Sequence, residues 1–381
     1  MSINLSSFDN SSDQGDQGGK KEIGLIEKVN TLLLKLSRVP LKEKLFFVQH
    51  LSIMLKAGIS LSASLKTLAK QSENKYFLKI LNDVSLRVEK GMSFTESLKP
   101  YENIFGELFI NMIEAGEISG KLEAVLKQLY VQLKKQNELI SKVKGALTYP
   151  LVILFSMGGI GTFMMIVVVP QLTDMLKSFN TELPLPTKIL IGVSSFISHN
   201  GILSFLAFAG FIAGMTYILK THTGKYIFQL ILLKTPLFST IVKKINLARF
   251  TRTMSSLLKT DIMIIKVFQI TANVIGNLHY RQAIVDMGEK IKKGGQINQI
   301  ISLYPNLFPP MVSQMISVGE ETGELDNMLQ ELAEFYEAEV DQIMNNLPSI
   351  IEPILILVLG SGVGAMAVAV IMPMYSITSG L

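Results

Sequence analysis

Cysteine is absent from the 381-residue chain, which excludes disulfide staples, thiolate nucleophiles and cysteine-held metals. The four histidines, His50, His199, His222 and His279, have no second histidine at metal-ligand spacing. There is no G-x-S-x-G elbow and no loop with calcium-binding spacing, so no metal, cofactor or catalytic set is expected. The polar start, "MSINLSSFDNSSDQGDQGGKK", lacks the apolar core of a secretory signal peptide. Residues 1–39 read as a disordered tail with a short helical piece. No stretch alternates with period two for long enough to argue a sheet, which leaves an all-α chain.

Charge is also missing over long distances. Gly145–Thr173 and Pro353–Leu381 contain no Asp, Glu, Lys, Arg or His, and Ile189–Leu219 contains only His199. A helix needs about 20 apolar residues to cross the hydrocarbon core, and each stretch is long enough. An apolar fraction of 48% and a mean hydropathy of +0.37 agree with a membrane protein. Lys134, Lys135, Lys142 and Lys144 precede the first stretch, and Lys220, Lys225, Lys234, Lys243 and Lys244 follow the second, whereas only Lys177 and Lys188 lie between. By the positive-inside tendency both large polar regions are expected in the cytoplasm. The net charge of +5 then reads as topology and anionic-lipid contact; the lysines are scattered, and no nucleic acid is expected as a partner.

What is present is a repeat. With an offset of 203 residues and no gap, Leu55 falls on Leu258, Ala69 on Ala272, Gly91 on Gly294, Tyr101 on Tyr304 and Phe105 on Phe308. Pro150 falls on Pro353 and Pro170 on Pro373, so each copy joins a polar helical domain to one span. The expected order is domain 1 at 40–145, a span at 146–172, an outer loop at 173–198, a span at 199–219, domain 2 at 220–348 and a span at 349–375. In "FFVQHLSIMLKAG" and "NKYFLKILNDVSLRVEKG" the apolar residues recur at helix spacing and a glycine closes the pattern. In the second copy Asp261 stands where the first has the helix-ending Gly58. The stripe Leu122, Leu126, Leu129 and Leu133 starts a helix expected to run into the first span as one rod, kinked or ended near Pro150.

The same offset pairs "GEISGKL" at Gly116 with "GEETGEL" at Gly319. The first resembles a phosphate loop, but three residues separate its glycines instead of four, and Leu122 replaces the hydroxyl residue. In the second copy Glu324 replaces Lys121, which no phosphate site would tolerate. The element reads instead as a corner between helices, its geometry set by Gly116, Gly120, Gly319 and Gly323, with Ser119 or Thr322 as the next N-cap. Glu117 and Glu320 are expected in the connecting turn near a helix N-terminus. With Glu114, Glu321 and Glu324 they are candidates for partner docking. Pro150, Glu352 and Pro353 mark where the chain enters the membrane. The pairs Gly210–Gly214 and Gly360–Gly364 have the spacing that lets spanning helices approach closely. No charge lies mid-span to serve as an ion or proton relay.

Two tandem helical domains, a G-E-x-x-G-x-L corner in each, "ALTYP" at Ala146–Pro150 and a span at the end resemble the inner-membrane platform proteins of type II secretion and type IV pilus machines. The resemblance covers residues 40–381. It implies two cytoplasmic six-helix bundles and three spans in a bacterial inner membrane. It also implies a non-enzymatic protein that couples a cytoplasmic hexameric assembly ATPase to insertion or extraction of pilin or pseudopilin subunits, alongside other inner-membrane machine components. Three spans are few for a stand-alone pathway, which points to a homo-oligomer. The alternative is a membrane permease subunit, for which polar or inverted spans would be expected.

Overall fold

The computed structural model describes residues 39–177 and 184–378. The polar start and the middle of the expected outer loop, residues 178–183, lie outside them. Among the described residues every regular element is helical, and three helices are long and apolar enough to cross a membrane. The chain divides into two compact units, Met1–Tyr130 and Val131–Leu381.

In the first unit the helices are α1 (Leu41–Lys56), α2 (Leu61–Gln71), α3 (Lys75–Glu89), α4 (Phe94–Leu98), α5 (Glu102–Phe105), α6 (Glu107–Ile118) and the start of α7 (Leu122–Phe163). Counting the broken stretch from α4 to α5 as one, they form a six-helix bundle. Local chemistry sets the boundaries. Ser60 and Asn74 accept hydrogen bonds from the first amides of α2 and α3, and Ser93 with Glu96 forms a capping box on α4. Gly58 and Gly91 follow α1 and α3 at φ +80° and +87°, a left-handed conformation that costs a Cβ-bearing residue about 1–2 kcal/mol. Inward, the rings of Phe47, Phe77 and Phe105 stand within 5.8–6.1 Å of one another, with Phe109 at 4.7 Å from Phe105. Each fully buried phenylalanine contributes roughly 1.5–3 kcal/mol. On α3 the buried face is Phe77, Ile80, Leu81 and Val84, while Leu86 points outward.

The second unit repeats this bundle with α12 (Pro236–Leu258), α13 (Ile264–Val274), α14 (Leu278–Lys292), α15 (Ile297–Ile301), α16 (Pro310–Thr322) and α17 (Leu325–Thr378). Phe250, Tyr280 and Phe308 occupy the repeat positions of Phe47, Phe77 and Phe105 and again pack ring against ring. Asp261 has φ +58°, the conformation of Gly58 in the first copy, and among non-glycine residues aspartate is one of the few that enters it readily. The same unit contains a wide π-turn (Met164–Val168) after α7, then α8 (Val169–Lys177), α9 (Leu185–His199), α10 (Gly201–Lys220) and α11 (His222–Lys234).

One expectation needs correction. The segment 173–198 is not a plain loop: α8 ends in it and α9 fills most of its second half, because Pro184 opens a helix that runs until the irregular backbone of Asn200. The rod expected from the Leu122 stripe is present, and Pro150 does not end it, nor does Pro353 end its counterpart. Both lie inside α7, of 42 residues, and α17, of 54 residues, so no break separates domain from span. Leu139 of α7 and Val340, Met344 and Leu347 of α17 form a buried cluster with Ile241 and Ile245 of α12. Polar pairs surround it. Arg252 makes two bonds to Glu337, at 2.7 and 2.9 Å, Lys135 reaches Glu337 at 3.1 Å, and Gln132 lies between Thr253 and Ser256.

Candidate functional site

The two corners use their paired glycines for different reasons. Gly116 lies inside α6, and a Cβ there would meet Val125 Cβ at 2.9 Å and Leu122 Cα at 3.2 Å. Gly319 in α16 is equally constrained, with Leu325 Cα at 2.8 Å. The first glycine therefore lets the helix before the corner touch the helix after it. The second makes the turn: Gly120 and Gly323 have φ +70° and +75°. The expected N-caps are not N-caps. Ser119 donates its hydroxyl to the Ala115 carbonyl and Thr322 to that of Val318, both at 2.7 Å, so each belongs to the helix that is ending.

The glutamates are also displaced from their expected place. Glu117 is in the last turn of α6, and its carboxylate accepts from the Phe94 and Thr95 amides at 2.6 and 2.9 Å and from the Thr95 hydroxyl at 2.6 Å. Glu320 accepts from the amides of Ile297 and Asn298 at 2.7 and 2.8 Å. Each thus caps the short helix that begins 23 residues earlier, α4 or α15, and satisfies amides that such a helix leaves without an internal partner. The carboxylates expected to face a partner are turned into their own bundle. Of the other candidates, Glu114 is half-buried, Glu321 takes a bond from Ser317 at 3.1 Å, and Glu321 and Glu324 are exposed. The first corner has Ile118, 81% exposed, and Lys121 at the positions of Glu321 and Glu324, so this exposed acidic pair has no counterpart in the first corner.

A third repeated constellation escaped the sequence reading although half of it was in view. Tyr101 donates to Asp83 at 2.7 Å, and Arg87 reaches the same oxygen at 2.6 Å. At the same offset Tyr304 donates to Asp286, which Lys290 meets at 2.9 Å. Each triad ties the chain after the short helix to α3 or α14. Burial, and then the bond to Asp83, push the Tyr101 phenol up to about 12. Burial alone would raise Asp83, but Tyr101 and Arg87 outweigh it and hold the carboxyl below its ordinary range. Following the offset from Tyr101 and Tyr304 to the carboxylates would have revealed the set.

In the apolar part of the second unit, α9 is fixed by two bonds from buried hydroxyls. Thr187 donates to the Ala369 carbonyl and Ser194 to that of Met165, each at 2.6 Å. Met165 is in the π-turn, whose wide winding leaves a carbonyl for such a bond. Together α7, α9 and α17 line an apolar groove of about 670 Å³, floored by Gly158, Gly161, Thr162, Val193, Gly362 and Ala365. The glycine pairs expected to pack helices do not line it. Among the described residues a Cβ at Gly210, Gly214, Gly360 or Gly364 would meet nothing within 4 Å. Those faces are open within one chain because α10 carries no buried residue and α17 turns Gly362 to the groove instead. Pro150 is buried, whereas Glu352 and Pro353 are exposed on α17. Among the described residues no group of three or more His, Asp or Glu is placed to hold a metal ion.

Residues 47–170 and 250–373 each match the family described as type II secretion system protein F, with the displacement of the internal repeat. The chain is 36% identical to the type IV pilus assembly protein PilC of Thermus thermophilus, over 94% of this chain and 88% of that protein. It is 33% identical to the PilC of Myxococcus xanthus, over 89% and 81%. To the type II secretion system protein F of Pseudomonas aeruginosa it is 29% identical, over 86% and 81%. Two matched copies, covering most of the chain at the repeat positions, establish that this protein belongs to the type II secretion system protein F family.

Proposed function

We propose that the protein is the non-enzymatic inner-membrane platform of a pilus or secretion machine, its bundles on the cytoplasmic side, coupling a cytoplasmic assembly ATPase to insertion or extraction of pilin-like subunits. The observation that carries this reading is α17: one helix begins in the core of the second bundle and continues, without interruption at Pro353, into the wall of the apolar groove. At 1.5 Å per residue its 54 residues extend roughly 80 Å. A displacement imposed on the bundle is therefore delivered to the groove by a single rod. The groove suits the apolar helix of a pilin-like subunit, because glycine and alanine let a second backbone come close. Motor contact is assigned to Glu321 and Glu324, with Glu114 on the first corner, since Glu117 and Glu320 are committed inward. The names of the relatives, pilus assembly and type II secretion, support the class of machine.

The test is affinity purification of the tagged chain in mild detergent, with mass spectrometry of the co-purifying proteins. An assembly ATPase and pilin-like subunits are expected. A solute-binding protein with a transport ATPase in their place would overturn the platform reading in favour of a permease.

A further inference from the structure

Helix α11 begins one residue after α10 ends, capped by Thr221, whose hydroxyl accepts from the Gly224 amide at 3.2 Å. Its inner face is fastened to the second bundle. Gln229 donates to the Gly276 carbonyl at 3.3 Å and accepts from the Leu278 amide at 2.7 Å, and the rings of Tyr226 and His279 stand 4.2 Å apart. Its outer face is different in kind. Ile227, Phe228 and Ile231 are 51%, 40% and 56% exposed and lie on one side of the helix, flanked by Lys225 and Lys234.

A membrane-lying helix explains this arrangement, whereas a membrane-crossing one does not. With 13 residues α11 extends roughly 20 Å, short of the roughly 30 Å hydrocarbon core, and α12 beyond it is built into the bundle through Phe250, Met254 and Leu257. Direct continuity with α10, which is long and apolar enough to span, places α11 where that helix leaves the bilayer. An apolar stripe bordered by lysines is the pattern of a helix lying in the headgroup layer. Behind α11, between it, α12, α14 and the turn at Tyr304, is a cleft of about 710 Å³. Leu230 and Leu233 give it an apolar wall, and Lys234 and Lys243 contribute two cations. Among the described residues the one carboxylate that lines it, Asp286, is already bound by Tyr304 and Lys290.

We propose that α11 lies in the headgroup layer of the leaflet beside the second bundle, and that the cleft behind it holds the phosphate of an anionic phospholipid through Lys234 and Lys243, with acyl chains along Leu230 and Leu233. The inference requires that α10 cross a membrane; it is independent of any motor or pilin-like partner.

The chain contains no tryptophan, so Phe228→Trp in the full-length protein carries the sole indole. In nanodiscs of phosphatidylcholine with phosphatidylglycerol, its emission is expected to be blue-shifted and quenched by lipids brominated near the top of the acyl chain. Val318→Trp, exposed beside the second corner, is expected to emit as in water and stay unquenched. Phosphatidylglycerol retained by the purified protein is expected to fall roughly fivefold for each lysine removed in Lys234→Gln and Lys243→Gln, and added inorganic phosphate is expected not to displace it. A water-like, unquenched Phe228→Trp spectrum would overturn the placement of α11. Equal lipid retention in the unmodified and lysine-substituted proteins, or displacement by inorganic phosphate, would overturn the lipid site.

Discussion

Glu117 holds the backbone amide of Phe94 at 2.6 Å across 23 residues of sequence, and the corner of the first bundle is built around that bond. Removing the carboxylate leaves two half-buried amides and the Thr95 hydroxyl without their acceptor, at a cost of about 1–3 kcal/mol. Glu117→Ala is expected to lower the melting temperature of the detergent-solubilised protein and to speed hydrogen exchange at Phe94 and Thr95. Glu320→Ala is expected to do the same at Ile297 and Asn298. Unchanged exchange at these amides would refute the capping role.

The paired glycines should fail in different ways. Gly116→Ala meets the Val125 Cβ at 2.9 Å and is expected to cost about 1–3 kcal/mol by overpacking, partly relieved by a second substitution that removes that Cβ, Val125→Gly. Gly120→Ala meets no neighbour but must hold φ +70°, which costs about 1–2 kcal/mol that Val125→Gly cannot relieve. Thermal unfolding of the two single and two double variants separates steric from conformational cost, and equal rescue of both would contradict the division.

Alkaline pH should loosen the first bundle through Tyr101. Its phenol titrates at about 12 in the folded chain against 10.0 ordinarily, so the folded state favours the protonated form. The stability this contributes is whole below pH 10 and is lost as the pH rises to about 12. Tyr101→Phe removes the bond to Asp83 and cannot ionise. The gap in melting temperature between it and the unmodified chain should therefore be widest below pH 10 and shrink above it, whereas a constant gap would count against the Tyr101–Asp83 bond.

Filling the membrane groove should stop assembly without unfolding the protein. Thr162→Trp is expected to leave membrane insertion and ATPase co-purification intact, while surface fibre or secreted product drops roughly tenfold, as about 1–3 kcal/mol of overpacking against an incoming helix implies. Quantitative blotting of membrane and product fractions reads both, and normal product with a filled groove would mean the incoming helix lies elsewhere.

Much of the fold was legible because it rests on short-range chemistry. Helix spacing, glycine terminators and uncharged runs are local signals, and the repeat let each copy check the other, as when Asp261 takes up the backbone of Gly58. What stayed hidden was set by distance in sequence. Nothing local to Glu117 shows that its acceptor oxygens belong to amides 22 and 23 residues upstream. Helix α9 was absorbed into an apolar run that extends past Asn200, where the backbone breaks, so the groove it lines with α7 and α17 could not be anticipated. The glycine pairs of α10 and α17 were visible, but spacing alone does not say that a neighbour is present, and among the described residues none comes within 4 Å of a Cβ placed there.

An uninterrupted helix also fixes an angle. Thirty residues separate Gly323 from Pro353, as they do Gly120 from Pro150, and each residue advances the winding by about 100°. The direction in which Gly362 faces is thus geared to the corner at Gly323: one residue inserted between them would swing the groove face by about 100° and lift it by about 1.5 Å. In the proposed platform role the length of that shaft is therefore constrained twice, because it sets the angle of the groove face as well as its reach.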